Sequence, residues 1–525
     1  MESQVTDKKD EIREGTREQE GRMPTLFEAL AVLVFACVCI LSAIQVWETD
    51  AHIPLVVSSC AASVVAMCRL KIRWAVIEDA MLSSILMGMQ ACLILYTVGM
   101  LIGVWILSGV VPSMIYYGLD IIAPGIFLMA ALIICGVVSL ATGTSWGTTG
   151  TVGIALIGVG AGLGIPAPVS AGFIISGAYL GDKMSPLSDT TNLAPAMAGT
   201  DLFQHIRAMC WTSVPTFLIV CVVGIVMGVK YSGGTLDTDA INAIQTLMDT
   251  EFLISPLCLI PPVIVIGLAA MKMPAVPSIF AGVIAGVVMA IVEGVGLGTL
   301  FDVLQNGFVA DLPAKIVELG AEETAGIMAL LTGASVVGVE AGPAFTAAET
   351  LKELLTRGGL QSMNWTVSLI ICALSFGGVL ERCGFIEVIL DTVLKGVKTV
   401  GGLILSVIMS CFLTNVLTGD QYISLVVPGR MFKKRFEEVG LHARMLSRSL
   451  EDSGTLTSAL IPWNTCGAYQ STTLGVPTVE YLPYAILNWL NPILAVVITY
   501  LGIGVAWKAD NAEGFVISRS KPSES

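Results

Sequence analysis

Residues 26–47 read LFEALAVLVFACVCILSAIQVW, an apolar run with one charged residue that is long enough to cross a bilayer as a helix. Comparable runs cover residues 81–111, 211–229 and 481–505. Of the 525 residues, 55% are hydrophobic and only 13% are charged, about half the charged fraction of a typical globular protein. The sequence therefore predicts an all-α polytopic membrane protein with about 10–13 transmembrane helices.

The net charge and the placement of His and Cys argue against several kinds of binding partner. The formal net charge is −14, which argues against a nucleic acid partner because phosphate binding requires concentrated Lys and Arg. The three His lie far apart and the 13 Cys form no CxxC pair, so neither a zinc site nor a disulfide framework is predicted. No cofactor is predicted.

Basic stretches predict the orientation of the chain. Residues 1–24 mix both charges and predict a disordered tail. The predicted second helix ends in the basic turn Arg69, Lys71 and Arg73, and short loops rich in Lys and Arg stay in the cytoplasm. The N-terminus, two crossings earlier, is then also cytoplasmic, and the basic stretch 430–448 is expected on the same side. The predicted location is the cytoplasmic (inner) membrane, with multiple passes.

Four short similarities occur in the same order in the two halves of the chain. Their offsets are close, for example 378 − 103 = 275 and 452 − 182 = 270, and the pairs are Gly103 with Gly378, Thr142 with Thr414, Asp182 with Asp452 and Trp211 with Trp489. A duplicated unit with a site at the interface of its halves is the usual plan of secondary transporters. Chance similarity between two Gly- and Val-rich halves is the alternative.

These similarities predict the organisation of the chain. We expect a cytoplasmic tail at 1–24, N-terminal transmembrane helices at 25–80, a first repeat at 80–230, an acidic linker with intermediate scaffold helices at 231–355, a second repeat at 356–507 and a C-terminal tail at 508–525. Repeats with an odd number of crossings lie inverted in the membrane. Matching breaks in the two repeats are then expected to open toward opposite faces.

Each half interrupts its apolar pattern in two places, at 142–151 and 181–192 in the first and at 414–421 and 451–458 in the second. The breaks combine Gly or Pro with hydroxyl, amide and carboxylate oxygens. Inside a membrane, unwound backbone survives only where it packs in protein or lines a wet cavity, and ionisable groups there are costly enough to indicate function. The alternative is that these breaks are polar loops outside the membrane.

The oxygen atoms of the four breaks are the predicted ligands of a monovalent cation, and the carboxylates can also take up protons. The candidate carboxylates are Asp182, Asp189, Asp420 and Asp452. The candidate neutral ligands are Thr142, Thr144, Ser145, Ser185, Ser188, Asn192, Thr414, Asn415, Thr455, Ser458 and Asn464. Lys183 is expected to hold Asp182 ionised as its charge partner. The structural alternative is that such side chains cap broken helices.

The stretch from Gly181 to Pro195, GDKMSPLSDTTNLAP, resembles the signature of the NhaC-type sodium/proton antiporter family. The resemblance continues through 103–118, 142–147, 451–455 and 461–465 and covers nearly the whole chain from about residue 25. It implies two inverted repeats with re-entrant or broken helices, and an elevator-type movement. The family also contains antiporters that resemble malate/lactate exchangers, so the resemblance does not fix the substrate.

The favoured function is a secondary active transporter that exchanges sodium for protons, with both ions competing for the same carboxylates. The alternative is a sodium- or proton-coupled exchanger of a small organic anion such as malate or lactate. That substrate would require basic side chains or helix N-termini in the cavity, and Lys183 is the only basic residue within the four breaks. Sodium, protons and the lipid bilayer are the predicted partners, with an organic anion or a second copy of the chain left open.

The sequence fits two further classes of membrane protein, an intramembrane aspartyl protease and a channel, less well. An intramembrane aspartyl protease requires GxGD, whereas Tyr179 and Leu417 occupy the first Gly position before Asp182 and Asp420. No enzymatic activity is therefore predicted. A channel is disfavoured because paired broken segments that carry carboxylates are more typical of alternating access.

Overall fold

The computed structural model describes residues 21–47, 49–232, 251–271, 273–310, 355–395 and 399–508, with the single positions 245, 248, 249, 352 and 397. Most of both predicted tails and of the predicted acidic linker lie outside the described residues. Within the described part the chain is helical, and its extended pairing is limited to two isolated bridges. The predicted all-α class is confirmed.

Thirteen α-helices lie in the described residues before 310. They are α1 Leu26–Gln45, α2 His52–Val65, α3 Trp74–Leu107, α4 Val110–Ile121, α5 Pro124–Thr142, α6 Ser145–Thr148, α7 Ile154–Gly162, α8 Ala167–Met184, α9 Asp189–Ala198, α10 Leu202–Ser232, α11 Ile260–Ala270, α12 Ala275–Val292 and α13 Leu297–Asn306. Short π-helical segments continue α2 over Ala66–Leu70 and join α6 to α7 over Thr149–Gly153.

The helices after residue 360 follow a similar order. They are α14 Asn364–Arg382, α15 Phe385–Lys395, α16 Val400–Thr418, α17 Gln421–Val439, α18 Ala443–Leu450, α19 Leu456–Ser458, α20 Thr465–Leu474, α21 Thr478–Tyr481 and α22 Ile486–Tyr500. A π-helical segment, Glu451–Thr455, joins α18 to α19.

Eight described helices are long and apolar enough to cross a membrane, and two shorter apolar helices accompany them at Pro256–Ala270 and Ile486–Tyr500. Large apolar side chains such as Phe27, Leu86 and Val226 remain 81%, 73% and 65% exposed. Surface apolar groups of this size on long helices indicate contact with lipid. The chain is therefore a multi-pass membrane protein.

Glycines in the left-handed conformation mark corresponding helix ends in the two halves. Gly143 and Gly419, at φ 72° and 65°, end α5 and α16, and 419 − 143 = 276. The same separation relates Gly164 to Gly440 and Gly199 to Gly475, all at positive φ. The two halves thus share a register of 276 at these helix ends, while the repeats, their boundaries and their inverted orientation stay predictions.

This register changes the residue pairing that the sequence similarities suggested. Thr142 corresponds to Thr418 instead of Thr414, and Asp182 corresponds to Ser458 instead of Asp452. The sequence similarities were shifted by a few residues because Thr recurs every few positions in the breaks of both halves.

Contacts between α9 and the helices α17 and α18 join the two halves at the polar breaks. In the first half, α5 packs closely on α8, and α10 packs on α5. Helices α3 and α14 pack together, and α12 of the intermediate segment covers α3. The broken segments of both halves therefore meet in the interior of the helical assembly.

The start of α1 and the basic turn after α2 lie at the same end of the molecule. The Arg22 amide donates to the Leu70 carbonyl at 3.0 Å, and Arg22 and Arg69 both contact the carboxylate of Glu28. Within the basic stretch 430–448, Arg448 is fully buried, and the cytoplasmic placement of this stretch stays a prediction.

Candidate functional site

The first break of each half is a helix end followed at once by a new helix start. After Gly143, the Thr144 hydroxyl accepts a hydrogen bond from the Gly147 amide at 3.2 Å and caps α6. After Gly419, Asp420 Oδ1 accepts from the Ile423 amide at 2.9 Å and caps α17. Both turns need glycine because the chain reverses through the left-handed region, which side chains disfavour. The two breaks thus present a hydroxyl and a carboxylate at equivalent positions.

The second break of the first half lies between α8 and α9. The Ser188 side chain caps α9 by accepting from the Thr191 amide at 3.5 Å, and the Ser185 hydroxyl donates to the Leu140 carbonyl at 2.8 Å. The intervening Pro186 favours this interruption because it cannot continue the hydrogen-bonding ladder of α8.

The second break of the second half lies later than the sequence predicted. Residues 451–458 remain helical, and the chain leaves the helix only over 459–464. Asn464 then caps α20 by accepting from the Cys466 amide at 3.0 Å. A π-helical segment keeps its backbone hydrogen-bonded despite its polar sequence, which is why polarity alone misplaced this break.

A cavity of about 520 Å³ lies between the breaks of the two halves. Three of the four predicted carboxylates line it: Asp182, Asp189 and Asp420. The predicted hydroxyl residues that line it are Thr142, Thr144, Ser145 and Ser188. Both first breaks contribute to one cavity, and their opening toward opposite faces stays a prediction.

Asp182 is held in the cavity wall by the start of α6. Its Oδ2 atom accepts from the Ser145 amide at 3.1 Å and from the Ser145 hydroxyl at 2.6 Å, and the residue is 7% exposed. Asp420 is 4% exposed, whereas Asp189 is exposed at the start of α9. Two carboxylates are therefore fixed in the wall and the third lies where solvent reaches it.

Lys183 and Asp452 form an ion pair in which both side chains are fully buried. Asp452 Oδ1 also accepts from the Thr212 hydroxyl at 2.9 Å and the Asn491 amide at 2.8 Å, and its Oδ2 lies 3.7 Å from Arg448 Nε. The predicted partnership of Lys183 with Asp182 is not found in this structure. Lys183 instead joins the first half to the second through Asp452.

Asp452 does not line the cavity. Its carboxylate is surrounded by donors from three other elements, and removing such a buried partner leaves its cations uncompensated. In this conformation Asp452 therefore binds buried polar and cationic side chains of the protein, and its role as an ion ligand stays a prediction.

Several predicted ligands bind the polypeptide itself. Asn415 donates to the Gly454 carbonyl at 2.7 Å and accepts from Asn464 at 3.1 Å. Thr414 donates to a main-chain carbonyl of its own helix, and Ser458 donates to the Thr455 carbonyl of the preceding π-helical segment. Asn192 closes the turn before α9 by donating to the Ser188 carbonyl at 2.7 Å. These residues, with Ser185, do not line the cavity and maintain the shape of the breaks.

Glu451 is a buried carboxylate that the sequence analysis did not include among the candidates. Its Oε1 accepts from the Thr190 hydroxyl at 3.0 Å and the Thr455 hydroxyl at 2.8 Å, so the predicted ligand Thr455 serves this carboxylate. Thr190 also lines the cavity. The sequence feature that could have identified Glu451 is the acidic pair at 451–452, which lies next to Ser and Thr.

The cavity wall includes residues that the sequence analysis missed. Gln421 and Cys466 come from the second half, and their side chains hydrogen-bond to each other. Trp146 stacks on Tyr469 with ring centroids 4.1 Å apart and an interplanar angle of 10°. The turn between α11 and α12 contributes Met273, so the intermediate segment forms part of the wall as well as a scaffold.

The described residues contain no group of three or more His, Cys, Asp or Glu side chains that could hold a metal ion together. A cation in this cavity would therefore be held by one or two carboxylates together with hydroxyl and main-chain oxygens. Such oxygen-rich surroundings suit a hard cation of low charge.

Comparisons with known proteins were made for the whole chain. The model of the Na+/H+ antiporter family matches residues 177–319 and 303–503. The Na(+)/H(+) antiporter NhaC of Alkalihalophilus pseudofirmus is 38% identical over 468 residues, which cover 89% of this chain and 93% of that protein.

Two relatives from Bacillus subtilis are named for different activities. The malate-2H(+)/Na(+)-lactate antiporter is 38% identical over 494 residues, covering 94% of this chain and 98% of that protein. The Na(+)/H(+) antiporter NhaC is 34% identical over 475 residues, covering 90% and 97%.

Proposed function

The chain belongs to the Na+/H+ antiporter family, and from this premise we propose that the cavity between its broken helices is where sodium and protons bind. Its relatives support sodium/proton exchange as the activity and indicate a transporter and not an enzyme. The observation that carries the proposal is that polar breaks from both halves meet around one cavity with Asp182 and Asp420 fixed in its wall.

The proposed ligands are the cavity carboxylates and the hydroxyl groups beside them. Asp182 Oδ2 already accepts two hydrogen bonds from Ser145, which orients the carboxylate. Thr142 adds a hydroxyl oxygen that is buried and has no hydrogen-bond partner. An oxygen in this state costs free energy unless a ligand or water satisfies it. The remaining proposed ligands are Asp189, Thr144 and Ser188.

Exchange follows from competition at these carboxylates. A proton neutralises a carboxylate and removes its attraction for sodium, while bound sodium favours the ionised form. A carrier that changes conformation only when one of the ions is bound would couple the two movements. An elevator movement and a cytoplasmic N-terminus in the cytoplasmic membrane complete the proposal, on the family resemblance and on the basic turn after α2.

The malate/lactate antiporter among the relatives keeps an organic anion as a second candidate substrate. The cavity lining disfavours it. No Lys, Arg or His occurs among the lining residues of the described chain, and Lys183 is bound to Asp452. An anion would have to rely on helix N-termini against three carboxylates.

The test is ion flux in proteoliposomes under an imposed pH gradient, comparing sodium, lithium, potassium and malate. We expect sodium to move protons and malate to be without effect. The same assay compares Asp182→Asn with the matched control Asp201→Asn, because Asp201 lies outside the cavity and caps α10 by accepting from the Phe203 amide at 2.9 Å. Proton movement that requires malate would overturn the assignment.

A further inference from the structure

The cavity is much larger than the ion it is proposed to carry. A water molecule occupies about 30 Å³ of the liquid, whereas the cavity measures about 520 Å³. Pockets of about 300–1,000 Å³ are the usual size for small organic ligands. Sodium with a few waters would leave most of this space to solvent.

The charges that face the cavity select for a positive ligand. Asp182, Asp189 and Asp420 line it, with no basic side chain among the described lining residues. The neighbouring Lys183 directs its charge to Asp452, in the protein interior. An organic ligand in this space would therefore be a cation, since a carboxylate would meet like charge without compensation.

One wall of the cavity is mainly apolar, with Gln90 as its polar member. Met87, Ala91 and Ile94 are spaced to lie on one face of α3 and all line the cavity, and Met273 lines it from the turn between α11 and α12. Apolar side chains offer nothing to a hydrated sodium ion, but they favour an alkyl chain through burial. Methionine also adapts its shape to varied ligands.

An aromatic ring is fixed beside the carboxylates. Trp146 lines the cavity, and its ring stacks on Tyr469, whose hydroxyl donates to the Trp146 carbonyl at 2.7 Å. The stack holds the indole ring in place. Organic ammonium groups bind over indole rings through the negative face of the ring, so Trp146 and the carboxylates provide complementary contacts for one cationic head group.

We propose that this cavity also binds primary alkylammonium ions, with the ammonium group at the carboxylates and Trp146 and the alkyl chain against the α3 wall. The proposal deepens the proposed function, because it rests on the same cavity as the sodium site. It extends the substrate class from an inorganic cation to small organic cations and opposes the organic-anion alternative.

The experiment measures binding of methyl-, ethyl-, propyl- and butylammonium to the purified full-length protein by calorimetry, with propionate as an anion of matched size. We expect affinity to rise by up to about fourfold for each added methylene, the equivalent of about 0.8 kcal/mol. Sodium should compete with every member of the series, and propionate should not bind.

A substitution in the α3 wall tests the contact with the alkyl chain without changing the carboxylates that bind the cation. Met87→Ser should flatten the dependence of alkylammonium affinity on chain length. The matched control is Met89→Ser on the same helix, since Met89 is 40% exposed but does not line the cavity.

The outcomes distinguish this inference from the proposed function. Alkylammonium binding with the expected series but without competition by sodium would overturn the sodium site and support the organic cation. Equal affinities along the series, binding of propionate, or no binding of any alkylammonium ion would overturn the inference. Sodium binding alone would leave the proposed function standing.

Discussion

The two aspartates at the centre of the sequence prediction lie in different chemical surroundings. Asp182 faces the cavity and receives its hydrogen bonds from Ser145. Asp452 lies outside the cavity and balances Lys183 and Arg448 in the protein interior. Substituting each by Asn removes the same charge, but the consequences differ because only Asp452 has buried cationic partners.

Asp182→Asn is expected to abolish sodium-dependent proton movement with little loss of stability, because Asn can still accept hydrogen bonds from Ser145. Asp452→Asn is also expected to abolish exchange, but by destabilising the protein by about 3–5 kcal/mol as Lys183 and Arg448 lose their counter-charge. Vesicle flux and thermal unfolding in detergent measure the two effects. An Asp182→Asn protein with wild-type exchange would contradict the central assignment.

The apparent affinity for sodium should fall as the pH is lowered. Protons neutralise the cavity carboxylates that sodium needs, so binding should be strongest at neutral to alkaline pH and weakest in acid. Because several carboxylates share the cavity, the observed titration belongs to the group. Radioactive sodium binding measured from about pH 6 to about pH 9 tests this, and a constant affinity would indicate separate sites for the two ions.

At the scale of the element, the breaks depend on glycines that reverse the chain. Gly143 has φ 72°, and a Cβ atom there would lie 2.6 Å from the Leu187 Cβ and 2.7 Å from the Leu187 carbonyl carbon. The end of α5 and the turn before α9 therefore pack together without space for a side chain. This packing brings the first and second breaks to the same cavity.

Gly143→Ala is expected to destabilise the protein and to reduce exchange strongly. Left-handed strain costs about 1–3 kcal/mol, and the contact with Leu187 adds to it. Gly294→Ala is the matched control, because Gly294 has φ 86° but no atom within 4 Å of the added Cβ. Thermal unfolding of both variants separates strain from the contact. Equal stability of the two would show that the close approach is unimportant.

At the scale of the molecule, one end of the helical assembly carries the start of α1 and a basic turn. Arg22 is hydrogen-bonded to Leu70 at this end, and Thr49 lies beyond the other end of α1. A helix of 20 residues, the length of α1, spans about 30 Å. Positions 22 and 71 should thus lie on the opposite side of the membrane from position 49.

Cysteines introduced at Arg22 and Lys71, in a protein without its native Cys, should react with impermeant reagents only from the cytoplasmic side. A cysteine at Thr49 should react only from the other side. Labelling of right-side-out and inside-out vesicles provides the measurement. Reaction of positions 71 and 49 from the same side would be inconsistent with α1 as a membrane span.

The sequence alone determined the class of the protein, the family resemblance and the polar segments of the site. Bilayer-length apolar runs and a contiguous signature such as 181–195 are local properties of the chain. Asp182 and Asp420 could be identified in the same way, because carboxylates beside Gly in apolar segments are costly and conspicuous.

Only the tertiary structure decided which of these residues act together. Lys183 pairs with Asp452, 269 residues away, and not with the adjacent Asp182. Glu451 receives a hydrogen bond from Thr190, 261 residues away, and the apolar wall comes from α3 and the intermediate segment. The physical reason is that local sequence sets where a helix breaks, whereas long-range packing sets which side chains share the resulting space.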